Sequence, residues 1–118
     1  MTATLTVESQ YLNVLKALGN IEETVQEAIR TYAVERIGER IGTLHHEILT
    51  FQARYGLPYE QFYVRITTDE EFVTSLRQSH STWERDFNAW QYYVEELHEW
   101  LGHLESISSA SLPKQELF

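Results

Sequence analysis

Cysteine is absent from the chain. That excludes disulfides, thiol catalysis and Cys-based zinc or iron–sulfur sites. Proline occurs twice and glycine five times in 118 residues, so few positions force a helix to stop. Bases are scarce: 9 Lys and Arg stand against 18 Asp and Glu, a net charge of −9 that counts against a general nucleic-acid-coating role. No apolar run approaches the ~18 residues of a membrane span. No charged segment followed by a short apolar one marks a secretion signal. The chain therefore reads as soluble and cytoplasmic, with no membrane partner. What is present is a 42% apolar, 13% aromatic composition, enough for a core and against intrinsic disorder. The length suits one domain, with or without an arm.

The charge is uneven. Residues 1–56 carry five bases and seven acids, whereas residues 57–118 carry four bases and eleven acids. Two surfaces with different partners would produce this asymmetry, and so would acidic helices that are merely well solvated.

The chain opens with T-A-T-L-T-V-E, in which Ala3, Leu5 and Val7 alternate with Thr2, Thr4 and Thr6. That is the period of a half-buried strand. A lone strand cannot satisfy its own backbone. Its partner must be Tyr63–Thr67 (Y-V-R-I-T) or the same strand of a second copy. Ser9 is placed to cap a helix running to about Leu18, which Gly19 ends. Asn20, with Glu23 three residues on, caps the next helix. No breaker other than glycine follows until Gly56-Leu57-Pro58. A continuous helix from Ile21 to Tyr55 would be about 52 Å long; a kink near Gly38 is the alternative. Its apolar stripe moves by about 120° from Ile21, Val25, Ala28, Ile29 and Tyr32 to Ile37, Ile41, Leu44, Ile48, Phe51 and Tyr55, so the two halves pack on different bodies. Gly38 and Gly42 leave a notch of small residues between them.

Pro58 restarts the chain as a short helix from Tyr59 to about Ile66. Thr68-Asp-Glu-Glu71 opens another to about Gln78, and Ser81-Thr-Trp-Glu84 opens the last, from Thr82 to about Ile107. That helix carries Trp83, Phe87, Trp90, Val94, Leu97, Leu101 and Leu104 in steps of four and three, a seam suited to the Ile37–Tyr55 stripe. A second row, Tyr93, Trp100 and Ile107, widens the apolar sector to about 160°. The extra row either packs on a second neighbour or faces a partner. Ser108–Phe118 reads as a frayed tail.

Catalytic signatures fail on geometry. His98 and His103 in H-E-W-L-G-H are five residues apart, not the i, i+4 pair that grips zinc. His45 and His46 diverge around the helix, and His80 stands alone in a turn. No nucleophile elbow, phosphate loop or dinucleotide fingerprint occurs. The pairs Glu22/Glu23, Glu70/Glu71 and Glu95/Glu96 suit solvated helix faces. The expectation is no enzyme, catalytic residue, metal, cofactor or small-molecule substrate.

The opening T-L-T-V-E, Y-L-N-V-L-K-A-L-G and N-I-E-E-T-V-Q-E-A-I-R-T-Y resembles the ribbon-helix-helix domain. The resemblance implies an obligate homodimer whose paired strands enter a DNA groove. Thr2, Thr4 and Thr6 would then face bases, and Asn20, Ile21 and Glu22 would hold a phosphate at the helix start. Lys16 would be the nearby base. Ala3, Leu5 and Val7, with Val25, Ile29 and Tyr32, would form the dimer contact. The pattern departs from the family in offering threonines, not Arg, Lys, Asn or Gln, for base readout, and in placing Glu22 and Glu23 where a phosphate would sit.

F-Q-A-R-Y-G-L-P-Y-E-Q-F (51–62), followed by T-W-E-R-D-F-N-A-W-Q-Y-Y-V-E-E-L (82–97), looks like the helical half of antitoxins paired with TumE-type toxins. The resemblance covers roughly residues 10–107. It implies an antitoxin that binds and neutralises a cognate toxin, a ribonuclease by expectation, and represses its own operon. An acidic half complements a basic toxin. Tyr93 and Trp100 would be the anchors, with Ile107, Glu96 and Glu99 beside them, while Trp83 and Trp90 belong to the core.

The expected fold is thus mainly α: a ribbon-helix-helix region (1–40) with one short strand paired across a dimer, a long helix leading into a C-terminal helical hairpin that binds toxin (41–107), and a tail (108–118). The partners expected are a second copy, a basic toxin and operator DNA. The alternative is a dimeric all-helical structural or adaptor protein without DNA binding.

Overall fold

Gly19, at φ 140°, and Gly56, at φ 75°, are the two positive-φ residues among those described, and each sits where a helix ends. Only glycine takes these conformations without strain. A computed structural model describes residues 2–111, with side chains over residues 2–108. It contains five helices: α1 (Ser9–Leu18), α2 (Ile21–Tyr55), α3 (Tyr59–Thr68), α4 (Glu70–Ser79) and α5 (Trp83–Ser111). The contacts divide the chain between Arg36 and Ile37, within α2.

The expected ribbon is absent. Among the described residues none is in a strand, and Thr2–Val7 precedes α1 without regular structure. Tyr63–Thr67, the alternative pairing partner, lies inside α3, where the Thr67 hydroxyl donates to the Tyr63 carbonyl at 3.0 Å. Threonine alternation expresses a β tendency, but a strand exists only with a partner backbone. Phe62 and Ile66, four apart, gain more by turning inward together on a helix. The ribbon-helix-helix assignment is therefore corrected, and with it the roles that required a ribbon: Thr2, Thr4 and Thr6 as base readers and Ala3, Leu5 and Val7 as the covered underside. All six are exposed.

In the first unit, the backbone N–H of Glu23 donates to Asn20 Oδ1 at 3.0 Å, so Asn20 caps α2. Ser9 is not a cap: Glu8 occupies that position on α1, and its side chain makes no capping bond. Leu12 and Leu15 of α1 and Ile21, Thr24 and Val25 of α2 are half-buried, and no residue of α1 is fully buried. α2 runs as one helix through Gly38 and Gly42, and a Cβ at either glycine would meet nothing within 4 Å. Among the described residues no second helix occupies that notch.

The second unit is built on an aromatic core. Ile37, Leu44 and Phe51, at steps of seven along α2, are buried. Phe51, Phe62, Leu76, Trp83 and Trp90 form a cluster joining α2, α3, α4 and α5, with Ile48, Tyr55, Phe87 and Val94 packed against it. The Trp90 ring lies 5.8 Å from Phe51, 6.0 Å from Tyr55 and 5.2 Å from Phe62, centroid to centroid. Burial of a side chain such as Phe62 contributes about 2 kcal/mol. The seam expected between α5 and the second half of α2 is the axis of this core; Leu101, near its C-terminal end, is exposed.

Asp69 ends α3 and caps α4, its Oδ1 accepting from the Phe72 N–H at 3.1 Å while Arg65 approaches Oδ2 at 3.1 Å. The backbone bond from Phe72, then Arg65, hold the Asp69 carboxyl below its usual range. The cap expected at Thr68 thus falls one residue later, because the Thr68 hydroxyl donates back to the Val64 carbonyl at 2.7 Å. α5 starts at Trp83, and its backbone ladder begins at the Thr82 carbonyl, which accepts from the Asp86 N–H at 3.1 Å. α5 continues through Ser111, so the first residues of the expected tail are helical; residues 112–118 lie outside the described residues.

Candidate protein-binding face

α5 has an apolar side committed to the core and an outer side that carries acid. At 100° per residue, Glu84, Glu95, Glu99 and Glu105 fall within one sector of about 120°. All four are exposed. Asn88, Gln91, His98, Gly102 and Ser106 share the sector, which itself holds no lysine or arginine; exposed Arg85 lies about 40° beyond its edge. Tyr92 borders it on one side and Leu101 on the other, both exposed.

Tyr92 is held in place. The residue is 57% exposed, yet its hydroxyl donates to Glu96 Oε1 at 2.9 Å. Arg40 of α2 donates through Nη2 to both oxygens of Glu96, at 3.0 Å to Oε1. The hydrogen bond to the Glu96 carboxylate raises the Tyr92 phenol above its usual value, because deprotonation would set two negative charges together. The result is an exposed aromatic ring fixed by an ion pair, and fixing a contact side chain in advance lowers the entropy cost of docking.

The sequence-derived partner residues are split by the structure. Tyr93 is half-buried with its ring stacked 6.1 Å from Phe51, as part of the core periphery. Trp100 is half-buried beside the His103 ring at 5.4 Å, and Ile107 is half-buried. Glu96 is bound to Arg40 and Tyr92, whereas Glu99 is exposed on the acidic sector. Tyr92 was missed because, in sequence, two adjacent tyrosines differ only in helix phase; measuring that phase from Trp90 would have pointed Tyr93 inward and Tyr92 outward. In the first unit Lys16, Asn20, Ile29 and Tyr32 are exposed, and Ile21 and Val25 are half-buried. The Asn20 side chain is used by the cap of its own helix.

A second polar cluster ties α2 to α5. Asp86 Oδ2 accepts from Arg54 Nη1 at 2.8 Å and from the Tyr55 hydroxyl at 2.6 Å. Burial alone would raise the Asp86 carboxyl, but the bonds from Tyr55 and Arg54 outweigh it and hold it below its usual range. Burial, reinforced by Asp86, pushes the Tyr55 phenol up to about 12. The His80 ring lies 4.8 Å from Tyr55. All members of this cluster face each other, which marks it as a structural lock.

An open groove at the α3–α4 junction is lined by residues including Thr67, Asp69, Glu71, Thr74 and Arg77. Asp69 is already satisfied there by Phe72 and Arg65. Among the described residues no three His, Asp or Glu side chains are grouped to hold a metal ion, and no helix is long and apolar enough to cross a membrane. Compared with known protein families, curated proteins and solved structures, the chain matches none.

Proposed function

We propose that this chain is a protein-binding inhibitor of the antitoxin kind, which neutralises a basic partner protein by docking the outer face of α5 on it. The observation that carries this reading is the acidic sector of Glu84, Glu95, Glu99 and Glu105, edged by the fixed Tyr92 ring and by Leu101. Charge of one sign on one face steers a partner of the opposite sign and rejects others. Exposed aromatic and aliphatic groups at its edges supply area that can be desolvated. The resemblance of residues 51–62 and 82–97 to antitoxins of TumE-type toxins supports the same reading. Repression of an operon is not part of it, since the described residues contain no strand to form the ribbon that would have read DNA.

The test is co-expression with the protein encoded beside this one. The expected result is relief of that protein's toxicity and a stoichiometric complex of the two. Glu95→Lys/Glu99→Lys should weaken the complex by at least tenfold and flatten its salt dependence. Failure to form a complex, or a complex indifferent to both substitutions, overturns the reading.

A further inference from the structure

The first unit leaves part of its apolar surface uncovered. Among its described residues no side chain is fully buried. On α1, Tyr11, Val14 and Leu18 follow at steps of three and four and share one exposed face; Leu18 is 70% exposed. On α2, Ile29 and Tyr32 are exposed, Tyr32 at 67%, and continue the stripe begun by Ile21 and Val25. A ten-residue helix is marginal in water without a packed face. α1 therefore needs a cover that its own unit does not supply.

We infer that the cover is a second copy of this chain, the two α1–α2 hairpins pairing face to face around a two-fold axis. Area is the first argument. The five exposed residues present on the order of 600 Å2 per chain, hence roughly 1,200 Å2 for a pair, the lower bound of a specific stable interface. Charge is the second. Residues 1–36 hold five acids and three bases, a net charge of −2. Arg30 lies 3.6 Å from Glu27, and the Arg36 guanidinium sits over the Tyr32 ring at 6.0 Å. A unit of such low net charge gives a charged foreign partner little to select and repels its own copy only weakly. The remaining residues hold most of the −9 and would repel a copy, so self-association is favoured at this hairpin. The hairpin offers the same patch twice, as an isologous interface requires, and two of them make a four-helix arrangement.

The full chain alone tests this, by sedimentation equilibrium between 1 and 100 µM (concentrations on the order of ordinary dimer affinities). The expected species has twice the chain mass of 13.9 kDa. Leu18→Glu and Tyr32→Glu should each give a monomer whose tryptophan fluorescence and core unfolding are unchanged. Because the chain has no cysteine, Val14→Cys should be cross-linked to a second copy by a short bismaleimide, and exposed Gln78→Cys should not. A monomer at every concentration, a dimer that survives both glutamates, or cross-linking through Gln78→Cys overturns the proposal. No partner protein enters these measurements, so their failure is distinct from failure of the inhibitor reading.

Discussion

The Tyr55 hydroxyl donates to Asp86 Oδ2 at 2.6 Å, binding the last turn of α2 to the first turn of α5. The relationship has opposite signs of pH dependence at its two ends. The Tyr55 phenol is raised in the fold from an ordinary value of 10.0 to about 12. Its contribution is fully present below pH 10 and is lost as pH rises through the folded value, because the unfolded chain gives up the proton first. Asp86 is depressed below 3.8, so its contribution is present above that value and is lost as pH falls through the folded one. Urea midpoints should therefore decline between pH 10 and 12, and Tyr55→Phe should make that decline shallower. An unchanged slope in Tyr55→Phe would show that the phenol is not the titrating group.

Trp90 is fully buried, and its Nε1 finds no hydrogen-bond partner among the described residues. Trp90→Ala would open a cavity between Phe51, Tyr55, Tyr59 and Phe62 and cost about 3–5 kcal/mol. Trp90→Phe loses ring area but also removes an unpaired donor, so it should cost less, about 1–2 kcal/mol. Equilibrium urea unfolding compares the two, and equal losses would contradict the argument.

Tyr92 and Tyr93 are neighbours with opposite assignments. Tyr93→Ala removes a ring stacked on Phe51 and should destabilise the fold by about 2 kcal/mol. Tyr92→Ala should leave stability within about 0.5 kcal/mol and weaken binding of a basic partner instead. Thermal unfolding and titration of the two variants separate the roles.

Asn20→Ala should cost about 1 kcal/mol at the start of α2 by removing the acceptor for the Glu23 N–H. Amide exchange in that first turn should quicken. Ser9→Ala should change nothing of the kind, since Ser9 is the first helical residue of α1 and not its cap.

Helix positions were legible in this sequence because the signals are local. Gly19, Asn20, Gly56 and Pro58 bound α1, α2 and α3 through backbone conformation and capping, which depend on a few adjacent residues. The seam of Trp90 against Phe51 and Tyr55 was legible for the same reason: a steady step of four and three has one helical meaning. The strand at Thr2–Val7 was not. Alternation shows which side of an extended segment could be covered, but pairing needs a second backbone that only the folded chain can supply or withhold. Tyr63–Thr67 became part of α3, so none was supplied within the chain.

The acidity of the last helix was fixed by composition and phase. Which acids stay on the surface was decided by tertiary structure. Glu96 lies beside Arg40, 56 residues earlier, and Asp86 lies beside Arg54 and Tyr55, while Glu84, Glu95, Glu99 and Glu105 remain exposed. A charge's role depends on what is within a few ångströms of it. Spacing along one helix cannot state that distance, because the neighbour belongs to another.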